Sequence, residues 1–413
     1  MLIEFSVKNF LSFKDKNTFT MMASSDNTLK DNYVEINNDK ILKITAIYGA
    51  NASGKTNLFK ILGIVSSMIK NSNFFVPNVL LPIVPFKLDK ELVNKPSEFE
   101  IKFLVKGIRY LYGFKADKKN VYEEYLIYYP NGRPVKIFTR KNIYNYSFNS
   151  SDEKFLNDIK EKNTSNKFFI ATATNWNYEK TKPVFEFLTE KLGTIITHDQ
   201  INNYSYNMYY NDENKKLENF ALNFLEKADF NIKGYKIIEE KMTEDKLSTI
   251  PDIVKPFIPA NTPMYKVKTK HIVNGDEYEF DISEESLGTQ VIFSFIPVLK
   301  DVLDNGKVLI IDEFDKSLHP FIVKYIVEIF NNLEINKKSA QLIFNTHDTN
   351  LLNLELLRRD QIWFTEKDTK DGSTTIYPLD DFSVRKTENV EKGYLLGRYG
   401  AIPFLENNFD SLK

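Results

Sequence analysis

A glycine-bearing loop near the N-terminus has the residue types and spacing that phosphate binding requires. It fits the pattern G-x-x-x-x-G-K-[ST] and consists of Gly49, Ala50, Asn51, Ala52, Ser53, Gly54, Lys55 and Thr56. Glycines let backbone N–H groups face a polyphosphate, and a helix that begins near Lys55 directs its positive end to the same place. We expect Lys55 to reach the terminal phosphates and the Thr56 hydroxyl to ligate Mg²⁺, a hard cation that prefers oxygen. The loop therefore predicts binding of a nucleoside triphosphate.

Two adjacent acids form a second candidate site far downstream. The apolar run 307–311 predicts a buried strand that ends in Asp312 and Glu313 and resembles a Walker B motif. Asp312 suits Mg²⁺ held through its water shell, and Glu313 suits a general base that orients and deprotonates an attacking water. The alternative is a core strand that happens to end in solvated acids. The phosphate loop upstream favours the hydrolytic interpretation.

Two further segments indicate which class of nucleoside triphosphatase the chain belongs to. Ser286, Leu287 and Gly288 precede a helical pattern, so Ser286 and the first amides of that helix can form a second anion site. An ordinary helix cap is the alternative for Ser286. His347 follows an apolar strand and is placed to hydrogen-bond a γ-phosphate, whereas the alternative is an ordinary loop histidine. One chain would then carry two half-sites for a nucleotide, the phosphate loop and the Ser286 segment.

The remaining patterns predict a mixed α/β architecture. Strand patterns at 1–7 and 17–22 precede the strand of the phosphate loop, and a helix is expected from 55 to about 71. Alternating apolar and polar residues from 98 onward predict an antiparallel sheet with a hairpin turn at Asn131-Gly132. Helical patterns follow at 153–162, 182–192 and 213–228, and none sustains the heptads of a coiled coil.

Composition limits the class of protein. The chain has 413 residues, of which 42% are hydrophobic, and no apolar run approaches the length of a membrane helix. The N-terminus lacks the features of a secretory signal, so we expect a cytoplasmic protein without membrane contact. The absence of cysteine excludes disulfides, thiol catalysis and thiolate metal sites. A net charge of -1 gives no global electrostatic reason to bind nucleic acid.

The ordered set of motifs resembles the ABC-type ATPase heads of the SMC, RecF and OLD (overcoming lysogenization defect) families. The likeness covers 1–56, including the N-F-x-S-F turn, and 283–348. More closely, the chain resembles the stand-alone AAA/ABC-type proteins of abortive-infection and phage-defence operons, the RloA and AbiL-like group. That likeness rests on the segments 85–89, 312–320, 360–368 and 394–403.

This resemblance implies a fold, a division into domains and a dimer. The implied fold is an ABC-type ATPase head with a mixed sheet, an antiparallel β lobe and a helical insertion. The corresponding domains are an N-terminal ATPase lobe at 1–150, the insertion at 151–250 and a C-terminal ATPase lobe at 251–413. ATP would be enclosed with Mg²⁺ between the phosphate loop of one subunit and the Ser286-Leu287-Gly288 signature of another, in a homodimer.

The sequence departs from the family pattern in three places. Leu287 stands where the family signature has its first glycine. His319 stands where many proteins of these families carry aspartate in the D-loop, the loop after the Walker B strand. The glutamine that senses Mg²⁺ and γ-phosphate in the family has no clear counterpart, since Gln200 lies far from the expected position. The tail segment Gly397-Arg398-Tyr399-Gly400 has no chemical role that the sequence reveals.

The function expected from these features is an ATP-hydrolysing, nucleotide-gated switch in anti-phage defence. It would regulate or deliver a separately encoded effector, a nuclease or another toxin. The alternative is a DNA-binding repair or maintenance ATPase similar to RecF and SMC proteins. Its support is limited to the basic runs 133–141 and 266–271, and solvated charged faces explain most such runs.

Overall fold

The structure is a computed structural model that describes residues 1–195, 201–240 and 263–403. The chain forms two compact units. The larger unit consists of Met1–Ile196, Asn305–Phe314 and Ile326–Lys413, and the smaller unit of Thr197–Asp304 and Asp315–Tyr325.

The described residues form the following elements in chain order. The strands are β1 (Leu2–Lys8), β2 (Asn17–Thr20), β3 (Tyr33–Ile36), β4 (Asp39–Leu42), β5 (Ile44–Gly49), β6 (Ser97–Val105), β7 (Ile108–Ala116), β8 (Val121–Tyr129), β9 (Val135–Lys141), β10 (Asn145–Phe148), β11 (Leu192–Ile195), β12 (Gly234–Glu240), β13 (Met264–Val273), β14 (Asp276–Asp281), β15 (Val308–Ile311), β16 (Gln341–Asn345), β17 (Ile362–Lys367) and β18 (Thr374–Pro378). The α-helices are α1 (Lys55–Asn71), α2 (Glu153–Lys160), α3 (Phe169–Asn175), α4 (Lys182–Glu186), α5 (Asn202–Tyr210), α6 (Lys216–Lys227), α7 (Leu287–Asn305), α8 (Pro320–Asn331) and α9 (Val390–Leu395). A π-helix at Phe187–Lys191 continues α4, and short 3₁₀ turns lie at Lys30–Asn32, Ser72–Phe74, Leu92–Asn94, Ile282–Glu284, Thr349–Leu351, Arg359–Gln361 and Leu379–Asp381.

An antiparallel sheet occupies one side of the larger unit. Its seven strands have the order β10-β9-β8-β7-β6-β1-β2. Alternate residues of β6 are buried, as the period of a half-covered strand requires. Phe103 on β6 stacks on Phe187 with ring centroids 4.2 Å apart, and Phe114 on β7 meets Phe168 edge-on at 4.9 Å. The helical segment after β10 therefore covers one face of this sheet.

A buried ion pair ties that segment to the sheet. Glu124 on β8 lies 3.8 Å from Arg140 on β9, and both side chains are fully buried. Glu124 accepts hydrogen bonds from the backbone N–H groups of Phe169 at 2.6 Å and Ile170 at 3.0 Å, at the start of α3. Burial raises the pKa of Glu124, and the Arg140 guanidinium opposes that rise. Removal of either partner would leave an uncompensated buried charge.

The second sheet of the larger unit carries the phosphate loop. Its strand order is β11-β15-β16-β5-β17-β18, and every neighbouring pair is parallel except β17 with β18. Every residue of β5 is buried, which explains its near-continuous apolar sequence. Because the carboxyl ends of parallel strands meet at one edge, the segments that follow β5, β15 and β16 gather there.

The smaller unit packs three antiparallel strands with helices. The strand order is β12-β13-β14, and α5 packs against β12 and β13. Pro297 lies inside α7 and has no N–H, so the carbonyl of Phe293 lacks its usual helical donor. The hydroxyl of Tyr209 on α5 donates to that carbonyl at 3.0 Å, and Ser205 donates to the carbonyl of Ser294 at 2.5 Å. Helix α5 thus stabilises α7 where proline weakens it.

The structure confirms most of the predicted elements. The helix after the phosphate loop, the antiparallel sheet and the Asn131-Gly132 hairpin are present. The three-stranded sheet was not predicted, because the alternation of lysine with valine and threonine in 266–270 fits a basic run as well as a strand. The range 151–250 contains β11 and β12 in addition to helices, and part of it lies outside the described residues, as does Gln200. The division at 1–150, 151–250 and 251–413 stays a prediction.

Across the described ranges, the search for a helix with the length and apolarity needed to cross a membrane finds none.

Candidate functional site

The phosphate loop joins β5 to α1, and Lys55 at its end hydrogen-bonds back to residues at its start. Lys55 begins α1 and is buried, and its Nζ donates to the carbonyls of Gly49 at 2.7 Å and Ala50 at 3.0 Å. Ala52 and Gly54 have φ angles of 61° and 112°, so the backbone turns sharply between strand and helix. The positive end of the α1 dipole lies at the loop. This arrangement can bind an anion with several charged oxygens.

Hydroxyl groups from other segments hydrogen-bond the phosphate loop at Ser53. The Thr374 hydroxyl on β18 donates to the backbone carbonyl of Ser53 at 2.8 Å and lies 2.9 Å from the Ser12 hydroxyl. The Ser53 hydroxyl is 2.6 Å from that of Thr365 on β17, which contacts the carbonyl of Tyr48 at 3.3 Å. Ser53, Thr365 and Thr374 are buried. The conformation of the loop is therefore fixed by side chains outside the motif.

The two glycines of the motif are required by this close packing. A Cβ on Gly49 would lie 2.6 Å from the backbone oxygen of Thr365 and 2.7 Å from Ser53 Oγ. A Cβ on Gly54 would lie 2.7 Å from Thr374 Cγ2 and would also meet its hydroxyl, at a φ of 112°. Neither position has room for another residue. The glycines thus let the hydroxyl-bearing hairpin approach the loop.

Thr56 and Asp312 meet beside the loop. The Thr56 hydroxyl donates to Asp312 Oδ1 at 3.1 Å. Neighbouring ligand oxygens in octahedral Mg²⁺ coordination are about 2.9 Å apart. These two side chains therefore fit a Mg²⁺ site that is completed by water and phosphate oxygens. Within the ranges that the structure describes, no group of three or more His, Asp or Glu side chains could hold a metal ion by itself.

Asn345 organises both acids. This buried residue ends β16, and its Nδ2 donates to Asp312 Oδ1. Its Oδ1 accepts the backbone N–H of Glu313 at 2.6 Å, and its backbone carbonyl accepts that of Phe314 at 3.1 Å. Glu313 has a φ of 51° and an exposed side chain. Asn345 thus turns the chain so that Asp312 points inward and Glu313 outward, where a water could reach it.

His347 lies in the segment that follows β16. In the sheet, β16 lies between β5, which leads into the phosphate loop, and β15, which leads into the acid pair. His347 is exposed. The N–H of Thr346 donates to the carbonyl of Ile47 at 3.3 Å, and its hydroxyl accepts from Asp348 N at 2.9 Å. The Tyr48 hydroxyl donates to the carbonyl of Asp348 at 3.1 Å. The residues on both sides of His347 are therefore attached to the phosphate-loop strand.

The signature segment belongs to the smaller unit and begins α7. Ser286 Oγ accepts the N–H of Thr289 at 3.2 Å and lies 2.8 Å from its hydroxyl, which is the geometry of a helix cap. Leu287 is 63% exposed. A Cβ on Gly288 would lie 2.8 Å from the carbonyl of Ser317, so glycine lets that loop approach the helix. The cap is present, and an added role in anion binding stays a prediction.

The basic run on β13 is neutralised within its own sheet. Three lysines pair with acids on β14: Lys266 with Asp281 at 3.1 Å, Lys268 with Glu279 at 3.5 Å and Lys270 with Glu277 at 3.4 Å. His271 points to the other face, where its Nε2 lies 2.7 Å from Glu285 Oε1. In the other basic run, Arg140 is buried against Glu124. These residues give little net positive charge for a nucleic-acid backbone.

The larger unit brings together the phosphate loop, Thr56, the acid pair and His347, while Ser286, Leu287 and Gly288 lie in the smaller unit. Sequence reasoning missed Asn345, Thr365 and Thr374. A polar residue at the end of an apolar strand was a usable signal for Asn345. The two threonines carry no local signal, because only the pairing of β17 with β5 and β18 brings them to the loop.

Comparison with known proteins gives one family match. Residues 44–353 match the model of a family described as AAA domain, putative AbiEii toxin, Type IV TA system. Among solved structures, the SMC head domain from Thermotoga maritima is 15% identical, with 91% of this chain and 98% of that chain covered and a TM-score of 0.41. For cbiO1 from Clostridium perfringens, part of the ABC transporter complex cbiONQ, the identity is 12%, the coverage 97% and 96%, and the TM-score 0.31. The search of curated proteins finds no match.

Proposed function

The chain belongs to the AAA-domain family described as putative AbiEii toxin of a type IV TA system, and from this we propose that it is an ABC-type ATPase. It would bind ATP with Mg²⁺ and hydrolyse it to ADP and phosphate. The observation that carries this proposal is the convergence of three segments. The Thr56 hydroxyl lies 3.1 Å from Asp312, and Asn345 contacts both Asp312 and the backbone of Glu313.

Each residue at this convergence has a distinct proposed role. Gly49 to Thr56 cradle the phosphates, and Lys55 exchanges its loop carbonyls for β- and γ-phosphate oxygens. Thr56 and Asp312 would hold Mg²⁺, which neutralises charge on those oxygens when bound. Glu313 accepts a proton from water as the water oxygen bonds to the γ-phosphorus. The bond from the γ-phosphorus to the bridging oxygen breaks, and ADP leaves with that electron pair. His347 donates a hydrogen bond to the γ-phosphate.

Nucleotide binding and phosphate release test this ATPase proposal. Lys55→Ala should lose measurable ATP binding and turnover, because it removes the cation that faces the phosphates. Lys60→Ala is the matched control, since Lys60 is exposed on the same helix. The proposal fails if Lys55→Ala and Lys60→Ala bind ATP equally well.

ATP would also gate a homodimer. We propose that Ser286, Leu287 and Gly288 of a second copy close over the nucleotide held by the phosphate loop of the first. Support comes from the cap geometry of Ser286, whose hydroxyl and first-turn amides lie at the positive end of α7. The exposed Leu287 side chain supports this role because it is accessible to a second subunit.

Mixing two inactive variants tests closure between subunits. Lys55→Ala lacks a phosphate loop that binds, and Ser286→Arg blocks the signature. Each variant alone should be inactive, because every site of its homodimer is broken. A random equimolar mixture should recover about a quarter of wild-type activity, since half of the dimers are mixed and each has one intact site. No recovery in a mixture that does form mixed dimers would contradict the shared site.

We further propose that the closed dimer regulates a separately encoded nuclease or other toxin in phage defence, as in the RloA and AbiL-like group. The family description names a putative toxin of a type IV TA system, and this link to a toxin system is the support for the proposal. Glu313→Gln, trapped with ATP, should form a complex with the product of a neighbouring gene that Lys55→Ala does not form. ATPase stimulation by DNA with a steep salt dependence would instead indicate the RecF-like alternative.

A further inference from the structure

The tail segment, to which the sequence assigns no role, forms a compact element. We name residues 389–403 the C-terminal clamp. Asn389 caps α9 by accepting the N–H of Lys392 at 2.7 Å. The helix ends in a turn in which Arg398 N donates to the carbonyl of Gly393 at 3.0 Å. Such paired caps fix both ends of a short helix.

The clamp is attached to β5, the strand that leads into the phosphate loop, through Tyr394. The ring of Tyr394 lies 5.8 Å from that of Tyr48 and 5.5 Å from that of Phe364. Its hydroxyl donates to the carbonyl of Ala401 at 3.2 Å. Tyr394 is buried. One side chain therefore joins the clamp to β17 and to β5, the strand that leads into the phosphate loop.

A second attachment holds the clamp to the hairpin that supports the loop. The hydroxyl of Tyr377 on β18 donates to the carbonyl of Tyr399 at 2.9 Å and contacts Glu366 on β17 at 3.1 Å. A Cβ on Gly400 would lie 2.7 Å from the Tyr377 hydroxyl, at a φ of 67°. The glycine of the R-Y-G segment is therefore needed for this contact.

A third attachment reaches the segment of His347. Glu391 on α9 accepts a hydrogen bond from the Thr349 hydroxyl at 2.6 Å. Thr349 lies two residues after His347, and the carbonyl of the intervening Asp348 is held by Tyr48. The clamp thus contacts the phosphate-loop side through Tyr394 and the His347 side through Glu391.

We infer that the C-terminal clamp positions the phosphate loop and the His347 segment relative to each other. Tyr394 acts through Tyr48, and Glu391 acts through Thr349, so both are positioning residues. Leu395 and Leu396 of the clamp are 60% and 61% exposed, so the attachments come from its tyrosine rings and its polar groups. This inference rests on the ATPase proposal and adds residues outside the phosphate loop and the acid pair.

Steady-state kinetics of two variant sets test the inference. Tyr394→Leu removes the ring that contacts Tyr48, and Tyr144→Leu is the control because Tyr144 is 65% exposed. Tyr394→Leu should raise the KM for ATP by about 3- to 10-fold, the effect of one aromatic pair, with little change in kcat. Glu391→Ala should lower kcat by about 3- to 10-fold through the His347 segment, with KM nearly unchanged.

A conservative variant separates positioning from folding. Glu391→Gln keeps an oxygen that accepts from Thr349, so its kcat should stay near that of the wild type. A loss of stability in urea without the KM and kcat split would overturn the inference, as would equal losses in Glu391→Ala and Glu391→Gln. If Tyr394→Leu does not fold, the comparison of Glu391→Ala with Glu391→Gln still tests the inference. A wild-type protein that binds no nucleotide would instead contradict the ATPase proposal itself.

Discussion

Thr374→Val tests whether side chains outside the motif fix the phosphate loop. The substitution keeps the shape of Thr374 but removes the hydroxyl that donates to Ser53 at 2.8 Å and lies 2.9 Å from Ser12. Thr374 and Ser53 are 1% and 2% exposed, so water cannot replace these contacts. A buried polar group left without its partner costs about 1–3 kcal/mol, and we expect the free energy of unfolding to fall by that amount.

The loss should also weaken ATP binding. If the loop must return to its anchored shape to bind, up to the same 1–3 kcal/mol is lost from binding, which corresponds to about 5- to 150-fold. The assays are urea unfolding and titration with a fluorescent ATP analogue. Thr375→Val is the control, because Thr375 is the exposed neighbour on the same strand. Equal stability and equal affinity in Thr374→Val and Thr375→Val would refute the claim that the Thr374 hydroxyl anchors the loop.

Two further predictions concern the acid pair and the strand of the phosphate loop. Asn345→Leu should lower kcat by about 5- to 150-fold, because the backbone N–H of Glu313 loses its buried acceptor. The affinity for ATP should stay within about threefold of the wild type. Single-turnover kinetics and nucleotide titration measure the two effects. Lys43 precedes β5, and burial lowers its pKa from 10.5 to about 8. Between about pH 8 and pH 10.5 the unfolded chain therefore binds more protons than the folded chain, so the free energy of unfolding should rise with pH in this range. Lys43→Met should lack that rise in urea unfolding between about pH 8 and pH 9.5, and an unchanged rise would assign it to other groups.

Local patterns predict the segments of the candidate site that are continuous in the chain. The phosphate loop runs from Gly49 to Thr56, the strand before it is a near-continuous apolar run, and the helix after it has helical periodicity. Asp312 and Glu313 end an apolar run, which is the pattern of a buried parallel strand. The structure has these segments where the sequence predicts them, because each depends on close neighbours in the chain. The roles of the residues stay predictions.

The contacts that orient the site depend on pairing between distant strands. Thr365 pairs with Gly49, and Thr374 follows from the hairpin with β17, so no local pattern indicates that either holds the loop. The contacts of the clamp carry no local signal either, since the partners of Tyr394 and Glu391 lie far from them in the chain. The sheet β12-β13-β14 is not predicted because Lys266 to Lys270 alternate lysine with valine and threonine, which fits a basic run as well as a strand.

Single-turnover hydrolysis by Glu313→Gln tests the central claim most directly. The variant should bind ATP with Mg²⁺ as the wild type does and hydrolyse it about 100-fold or more slowly, because the general base is lost while the phosphate loop is intact. Glu355→Gln, an exposed acid of the same unit, should hydrolyse at the wild-type rate. Hydrolysis by Glu313→Gln at the rate of the wild type would contradict the assignment of Glu313 and the mechanism built on it.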